Sequence, residues 1–344
     1  MTGGTGAALP SVGVVIPVRN GAHLVADTIE SVLAQTYPGP VTVLLVDDAS
    51  TDGTADLVRA RWPEVRVMPI PASGLAVGRN RGAAALGTDW VAFLDGDDVW
   101  HPEHLALLLE YAAAHPDAHA LSAGSIRFST SPLADPRTAD PLDIPGPPRA
   151  ASVPPRVIPD PSTIRDLPVE PLADGAWLLR HEDFLHGNPI TSANGLFRRE
   201  HFWAAGGFPA ALAAAEDYGF WLAVSLLGPV HCTPGATFFY RVAEASMSSR
   251  TNVGLSHIAA VLPHLLSVDL ERRPEVVGPR LTGHELAGNV LWLASRSAIA
   301  RGRPAEEAVV TGLTPLLVPR RRRRWRFRLS HLVARTRNRS GTPT

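Results

Sequence analysis

The sequence predicts an α/β fold, a Rossmann-like, doubly wound and mostly parallel sheet. Three observations point to it. Short apolar, β-branched runs alternate with segments of helical periodicity from residue 12 to residue 114. The runs are apolar throughout instead of alternating with polar residues, as strands covered on both faces require. The connections are short, which suits βαβ units packed in order.

Val12 to Val18 is a β-branched, apolar strand that stops at the turn residues Arg19-Asn20-Gly21. Leu24, Ile29, Val32 and Leu33 recur at near-helical spacing, so Ala22 to Gln35 reads as a helix, broken by Tyr37-Pro38-Gly39-Pro40. Val41 to Val46 is a second strand ended by Asp47-Asp48; Ser50 or Asp52 then caps a helix over Thr54 to Arg61. Val65 to Ile70 is a third strand, Leu75 to Leu86 an Ala-rich helix, and Trp90 to Leu94 a fourth strand. A helix over His101 to Ala114 opens with Pro102 near its first turn, and His119 to Ser129 reads as a fifth strand.

The pattern then changes. Residues 131–171 hold twelve of the 32 prolines, which reads as a loop or partly disordered insertion with little room for helix. Order resumes with a helix over Trp177 to Leu185, a strand over Thr191 to Arg198, a short helix from Glu200, an amphipathic helix over Glu216 to Leu226 and a strand over Thr237 to Val242. Ile258 to Val268, Leu281 to Ala300 and Ala305 to Leu317 read as a C-terminal helical extension. The expected divisions are 1–130 and 176–250 as two halves of one domain, 131–175 as the insertion, 251–319 as the extension and 320–344 as a basic tail.

Composition narrows the function. At 344 residues and 45 % hydrophobic content the chain can bury a sizeable core. No apolar run is long enough to span a bilayer, and the first ten residues lack a signal-peptide core, so a cytoplasmic location is expected. The one cysteine, Cys232, excludes an internal disulfide or a zinc knuckle, and all basic residues are arginine. Residues 320–344 hold ten arginines and no acid, which leaves a formal charge of −11 on the rest. An acidic body argues against nucleic acid as the main partner. In the tail, Trp325, Leu329 and Leu332 would share one helical face among arginines, so 320–339 reads either as a solvated tail or as a peripheral contact with an anionic membrane surface at its inner face.

In open parallel sheets, ligands bind beyond the carboxyl ends of the strands. Three such ends carry unusual polar groups: Arg19-Asn20, Asp47-Asp48 and Asp95-Gly96-Asp97-Asp98. Three carboxylates within four residues repel one another. The stretch reads as a solvated acidic turn or as a seat for Mg²⁺ or Mn²⁺, hard ions that take oxygen ligands alongside substrate phosphates. Glu216-Asp217 reads as first-turn acids favoured by a helix dipole, or as a general base for a hydroxyl. Arg79 is an exposed helical arginine or a guanidinium aimed at phosphate, and Arg241 closes a strand where it could meet a diphosphate. Gly3-Gly4-Thr5-Gly6 precedes the first strand and is no dinucleotide loop, and His181-Glu182 with His186 has the wrong spacing for a metalloprotease helix.

Five stretches in order carry a resemblance. They are Val14-Val15-Ile16-Pro17-Val18-Arg19-Asn20; Leu45-Val46-Asp47-Asp48-Ala49-Ser50-Thr51-Asp52-Gly53; Gly74-Leu75-Ala76-Val77-Gly78-Arg79-Asn80-Arg81-Gly82; Phe93-Leu94-Asp95-Gly96-Asp97-Asp98; and Glu216-Asp217-Tyr218-Gly219-Phe220-Trp221. Over about residues 10–250 the chain resembles the inverting family 2 glycosyltransferases of the GT-A fold. The resemblance implies transfer of a sugar from a nucleoside-diphosphate sugar, a UDP-sugar by preference, to an acceptor hydroxyl in polysaccharide, glycolipid or glycoconjugate synthesis. It implies that Pro17, Val18, Arg19, Asn20 and Asp48 line the nucleotide pocket, with Arg79 and Arg241 toward phosphate. Asp95 would bind ribose or assist a Mg²⁺ or Mn²⁺ ion held by Asp97, and Asp217 would be the catalytic base. Ala243 and Ala223 depart from the family, standing where relatives often have His and Arg. The alternative is a catalytically weak relative acting as a membrane-associated nucleotide-binding or assembly protein.

Overall fold

The computed structural model describes residues 8–131, 152–172, 175–184, 188–190, 194–212, 214–242 and 260. The tail, the extension apart from Ala260, and Ala243 lie outside the described residues.

The first half follows the alternation read from the sequence. Strands β1 (Val12–Val18), β2 (Val41–Asp48), β3 (Arg66–Ile70) and β4 (Trp90–Phe93) alternate with helices α1 (Val25–Leu33), α2 (Thr54–Arg61) and α3 (Leu75–Ala84). Then come β5 (Val99–Trp100), α4 (His104–Ala114) and β6 (Ala120–Ser129). β1 lies parallel between β2 and β4, and β2 is parallel to β3. All seven residues of β1 are buried, as a central strand covered on both faces demands. Val15 points to one core with Val46 and Phe93, whereas Val14 and Ile16 point to the other with Leu45 and Leu105.

The second half makes the sheet mixed. β10 (Gly195–Arg198) runs antiparallel to both β4 and β6. β11 (Val230–Arg241) runs parallel to β6 on its other edge. The order is β3-β2-β1-β4-β10-β6-β11-β5. Helix α6 (Arg199–Ala204) follows β10, and α7 (Glu216–Val224) precedes β11.

Three expectations are corrected. Residues 152–171 are not simply loop: β7 (Ser152–Val157) pairs with the far half of β6, a 3₁₀ turn spans Pro161–Asp166, and β8 (Glu170–Pro171) pairs with β11. Pro154 and Pro155 fall where the register with β6 shifts between Ile126 and Phe128, so neither has to donate to the ladder. Trp177 to Leu185 is not one helix. β9 (Trp177–Leu179) pairs with Val230 to Cys232 of β11, and a single turn, α5 (His181–Phe184), follows. The open edge of β11 overrides the local helical pattern. Helix α7 is not amphipathic: Tyr218, Gly219, Phe220, Trp221, Leu222 and Val224 are all buried, which puts it inside the fold.

An aromatic cluster ties α7 to β4. Phe93 meets Phe208 edge-on at 4.9 Å between ring centroids, and Phe208 meets Phe220 at 4.6 Å. Phe197 contacts both Phe93 and Phe220. Burying each ring contributes roughly 2 kcal/mol. Asp95 lies two residues beyond Phe93, and Asp217 three before Phe220. The core therefore sets the spacing of the two acids.

Candidate active site

The loops after β1 and β2 are joined by hydrogen bonds. The Asn20 N–H donates to Ser50 Oγ at 2.9 Å, and Thr51 N–H donates to Asn20 Oδ1 at 2.8 Å. Gly21 N–H donates to Thr54 Oγ1, and Ala22 N–H to Asp52 Oδ2. Pro17 and Val18 end β1, where Val18 lies beside Asp47 of β2. Arg19 and Asn20 are exposed just beyond. Asp48 is buried and accepts from two backbone donors, Ser73 N–H at 2.6 Å and Gly74 N–H at 3.0 Å. Gly74 has φ +85°, a conformation that suits glycine and turns its N–H toward Asp48.

Arg79 is placed by α3. Gly82 lets this helix lie close on the sheet: a Cβ there would sit 2.4 Å from Val15 Cγ1. The Arg79 guanidinium is 1 % exposed and does not reach open space. Nη2 donates to Asp95 Oδ1 at 2.5 Å and Nη1 to Glu216 Oε1 at 2.7 Å. The Phe208 ring lies 5.0 Å from its Cζ. Burial alone would lower its pKa; the charges of Asp95 and Glu216 reverse that and raise it.

Arg241 is equally committed. Its backbone N–H donates to Asp98 Oδ1 at 2.8 Å, its Nε to the Asp97 carbonyl at 2.7 Å, and its Nη2 to Asp27 at 2.7 Å. It braces the acidic turn after β4 instead of standing open to a ligand. The sequence offered no sign of Asp27 as its partner, 214 positions away.

Asp97 is left with little compensation. Neither arginine that acts on it donates to its carboxylate: Arg79 bonds Asp95 and Glu216, and Arg241 bonds the Asp97 carbonyl and Asp27. Burial, then the charge of Asp95, push its pKa up to about 6. Asp98 is raised well above the usual carboxylate range by burial and by Asp97 and Asp95. Its Oδ2 is buried without a hydrogen-bond partner. Half-buried Asp97, with Asp95 two residues before it, is the carboxylate this turn offers to a divalent cation. Among the described residues no group of three or more His, Cys, Asp or Glu is placed to hold a metal ion. An open site of one or two carboxylates leaves positions for diphosphate oxygens.

Asp217 opens α7, one residue after Glu216 and two after Ala215. Burial, then Glu216, push its pKa up to about 7, against the pull of Arg79. Asp95 and Arg79 act electrostatically on both Asp97 and Asp217. The two candidate groups therefore both lie near the Arg79–Asp95 ion pair.

Backbone strain marks the same places. Among the described residues, three that are not glycine adopt the left-handed region: Asn20 (φ 55°), Ala49 (φ 57°) and Ala215 (φ 59°). Each adjoins one of the three groups of site residues. An alanine there costs about 1–2 kcal/mol, so the fold must hold it.

Comparison with known proteins finds similarity in sequence and in fold. Residues 13–152 match the model of Glycosyl transferase family 2. The putative teichuronic acid biosynthesis glycosyltransferase TuaG of Bacillus subtilis is 37 % identical over 106 residues, 30 % of this chain and 42 % of that protein. The N-acetylglucosaminyl-diphospho-decaprenol L-rhamnosyltransferase of Mycobacterium tuberculosis is 34 % identical over 120 residues, 31 % of this chain and 38 % of that one. The chain thus spans less than half the length of these relatives. In fold it is similar to Staphylococcus aureus TarS 1–349, solved with UDP-GlcNAc, at a TM-score of 0.61 and 15 % identity over 90 % of this chain and 82 % of that one. It is also similar to the mannosyltransferase PcManGT of Pyrobaculum calidifontis, solved with GDP-Man and Mn²⁺, at 0.53 and 20 % over 94 % and 85 %.

The sheet thus has the GT-A fold of these structures, and its first half is similar in sequence to glycosyltransferases. The family 2 match spans residues 13–152, from β1 to the start of β7, and so includes Asp48, Asp95 and Asp97 but not Asp217.

Proposed function

We propose that this protein transfers a sugar, with inversion, from a UDP-sugar to an acceptor hydroxyl in polysaccharide or glycoconjugate synthesis. The observation that supports the reading is that Asp217, half-buried with a pKa near 7, and Asp97 are both acted on by the Asp95–Arg79 ion pair. A base must be ionised near neutral pH yet still take a proton, and a pKa near 7 meets both needs.

In this mechanism Asp217 accepts the proton of the acceptor hydroxyl. The hydroxyl oxygen forms its bond to the anomeric carbon on the face opposite the diphosphate, and the bond from that carbon to the diphosphate oxygen breaks. The nucleotide lies along the loops carrying Pro17 to Asn20 and Asp48. A Mg²⁺ or Mn²⁺ ion on Asp97, when bound, supplies positive charge to the departing diphosphate. Arg79 stays protonated between Asp95 and Glu216 and keeps both halves of the site in register. The arginine-rich stretch 320–339 meets an anionic membrane surface from the cytoplasmic side, where lipid-linked acceptors are presented. Among the described residues no helix is long and apolar enough to cross a membrane.

The test is a thermal-shift screen of nucleoside diphosphates and sugar nucleotides with Mn²⁺, followed by donor hydrolysis with and without chelator. A donor at a hundred times its Kd should add about 2.7 kcal/mol to stability. No shift with any sugar nucleotide, and no hydrolysis, would overturn the reading.

A further inference from the structure

Asn188 lies against the candidate base. Two residues on, Ile190 is buried in the core with Phe184 and Trp221, which anchors this stretch. The Ile190 N–H donates to Asn188 Oδ1 at 3.2 Å. That contact decides which end of the amide is oxygen, since a backbone donor must meet an acceptor. The nitrogen end then faces α7, where Nδ2 donates to Asp217 Oδ2 at 3.3 Å.

We propose that Asn188 is the positioning residue of the base, holding Asp217 Oδ2 so that Oδ1 is the oxygen offered to the acceptor hydroxyl. The inference rests on the transferase reading above. It assigns a role to a residue in a stretch, Gly187-Asn188-Pro189, that carries no catalytic motif.

The surroundings explain why a neutral donor is needed. Glu216, adjacent in α7, and Asp95, beyond β4, both oppose a negative charge on Asp217. Arg79 favours it, but its hydrogen bonds already go to Asp95 and Glu216. The Tyr218 backbone N–H also favours the ionised form. An amide N–H₂ adds a directed donor without adding a charge that Glu216 or Asp95 could capture. It binds the ionised carboxylate better than the acid, so it steadies the base form while fixing the carboxylate's rotation.

The experiment uses the full chain with Mn²⁺ and two donors, UDP-glucose and UDP-N-acetylglucosamine, with water as acceptor, and follows turnover from pH 5 to 9. Asn188→Ala should lower turnover at neutral pH about tenfold and move the acidic limb of the profile up by about one unit. Asn188→Asp, nearly isosteric, should move the limb further, because it sets a second carboxyl against Asp217. If the alanine variant does not fold, the aspartate variant decides. Wild-type-like limbs in folded variants, with Asp217→Asn inactive, would overturn the inference and leave the transferase reading standing. A wild-type protein without turnover would remove the transferase reading, and the inference with it.

Discussion

Arg79 Nη1 donates to Glu216 Oε1 at 2.7 Å across 137 positions of chain, from the third helix to the first turn of the seventh. The same guanidinium holds Asp95. One buried cation thus joins the acidic turn after β4 to the helix that carries the candidate base. The joint needs the planar, two-pronged geometry of arginine.

Arg79→Met should cost about 3–5 kcal/mol, because it leaves Glu216 and Asp95 without their counter-charge in a buried place. Adding Glu216→Gln should recover part of that loss, since the second change removes one orphaned charge. Arg79→Lys should fall between, as an ammonium cannot hold both acids in the same geometry. Urea unfolding of the four proteins measures this. Equal midpoints for wild type and Arg79→Met would contradict the joint.

Stability should also depend on pH in a defined direction. Asp97 and Asp217 hold protons more tightly in the folded chain than the usual carboxylate value of 3.8, with pKa values raised to about 6 and about 7. Their contribution is fully present below about pH 4 and is lost as pH rises through 6 and 7. Asp97→Asn should therefore flatten the fall in Tm between pH 5 and 8 in chelator. A steeper fall in the variant would contradict the assignment.

Divalent cations should reverse the same trend. Mn²⁺ should raise Tm at pH 8 more than at pH 5 in the wild type, because the ligand must be deprotonated to bind it. The rise should be largest with UDP present and should shrink sharply in Asp97→Asn. An undiminished shift in that variant would move the cation elsewhere.

Ala215→Gly should relieve a left-handed alanine and stabilise the chain by up to about 1 kcal/mol. Turnover should fall, because the residue two places before Asp217 loses its fixed backbone. Thermal unfolding and donor hydrolysis on one preparation read both effects. A gain in turnover would show that the strain does not serve the base.

The order of β1 to β4 and their helices was legible because those strands are mostly apolar and turn residues separate them from the helices, whereas the two-residue β5 was missed. Val12–Val18 and Thr54–Arg61 match residue for residue. Legibility failed where long-range pairing decides. Trp177 to Leu179 became a strand only because β11 offers an edge, and Ser152 to Val157 only because β6 does. The acids of the site were visible as clusters at strand ends. The partners of the two arginines were not: each side chain is turned inward by a partner more than a hundred positions distant, Glu216 for Arg79 and Asp27 for Arg241. Asn188 has no local signal, since its meaning lies in a 3.3 Å contact with a helix 29 positions on.

The most direct test of the account is Asp217→Asn, assayed for sugar transfer or donor hydrolysis and for UDP-sugar binding in the same buffer with Mn²⁺. The account predicts binding within a few-fold of wild type and turnover reduced at least about a hundredfold, the lower range of general base catalysis. Turnover near the wild-type rate, with binding intact, would contradict it.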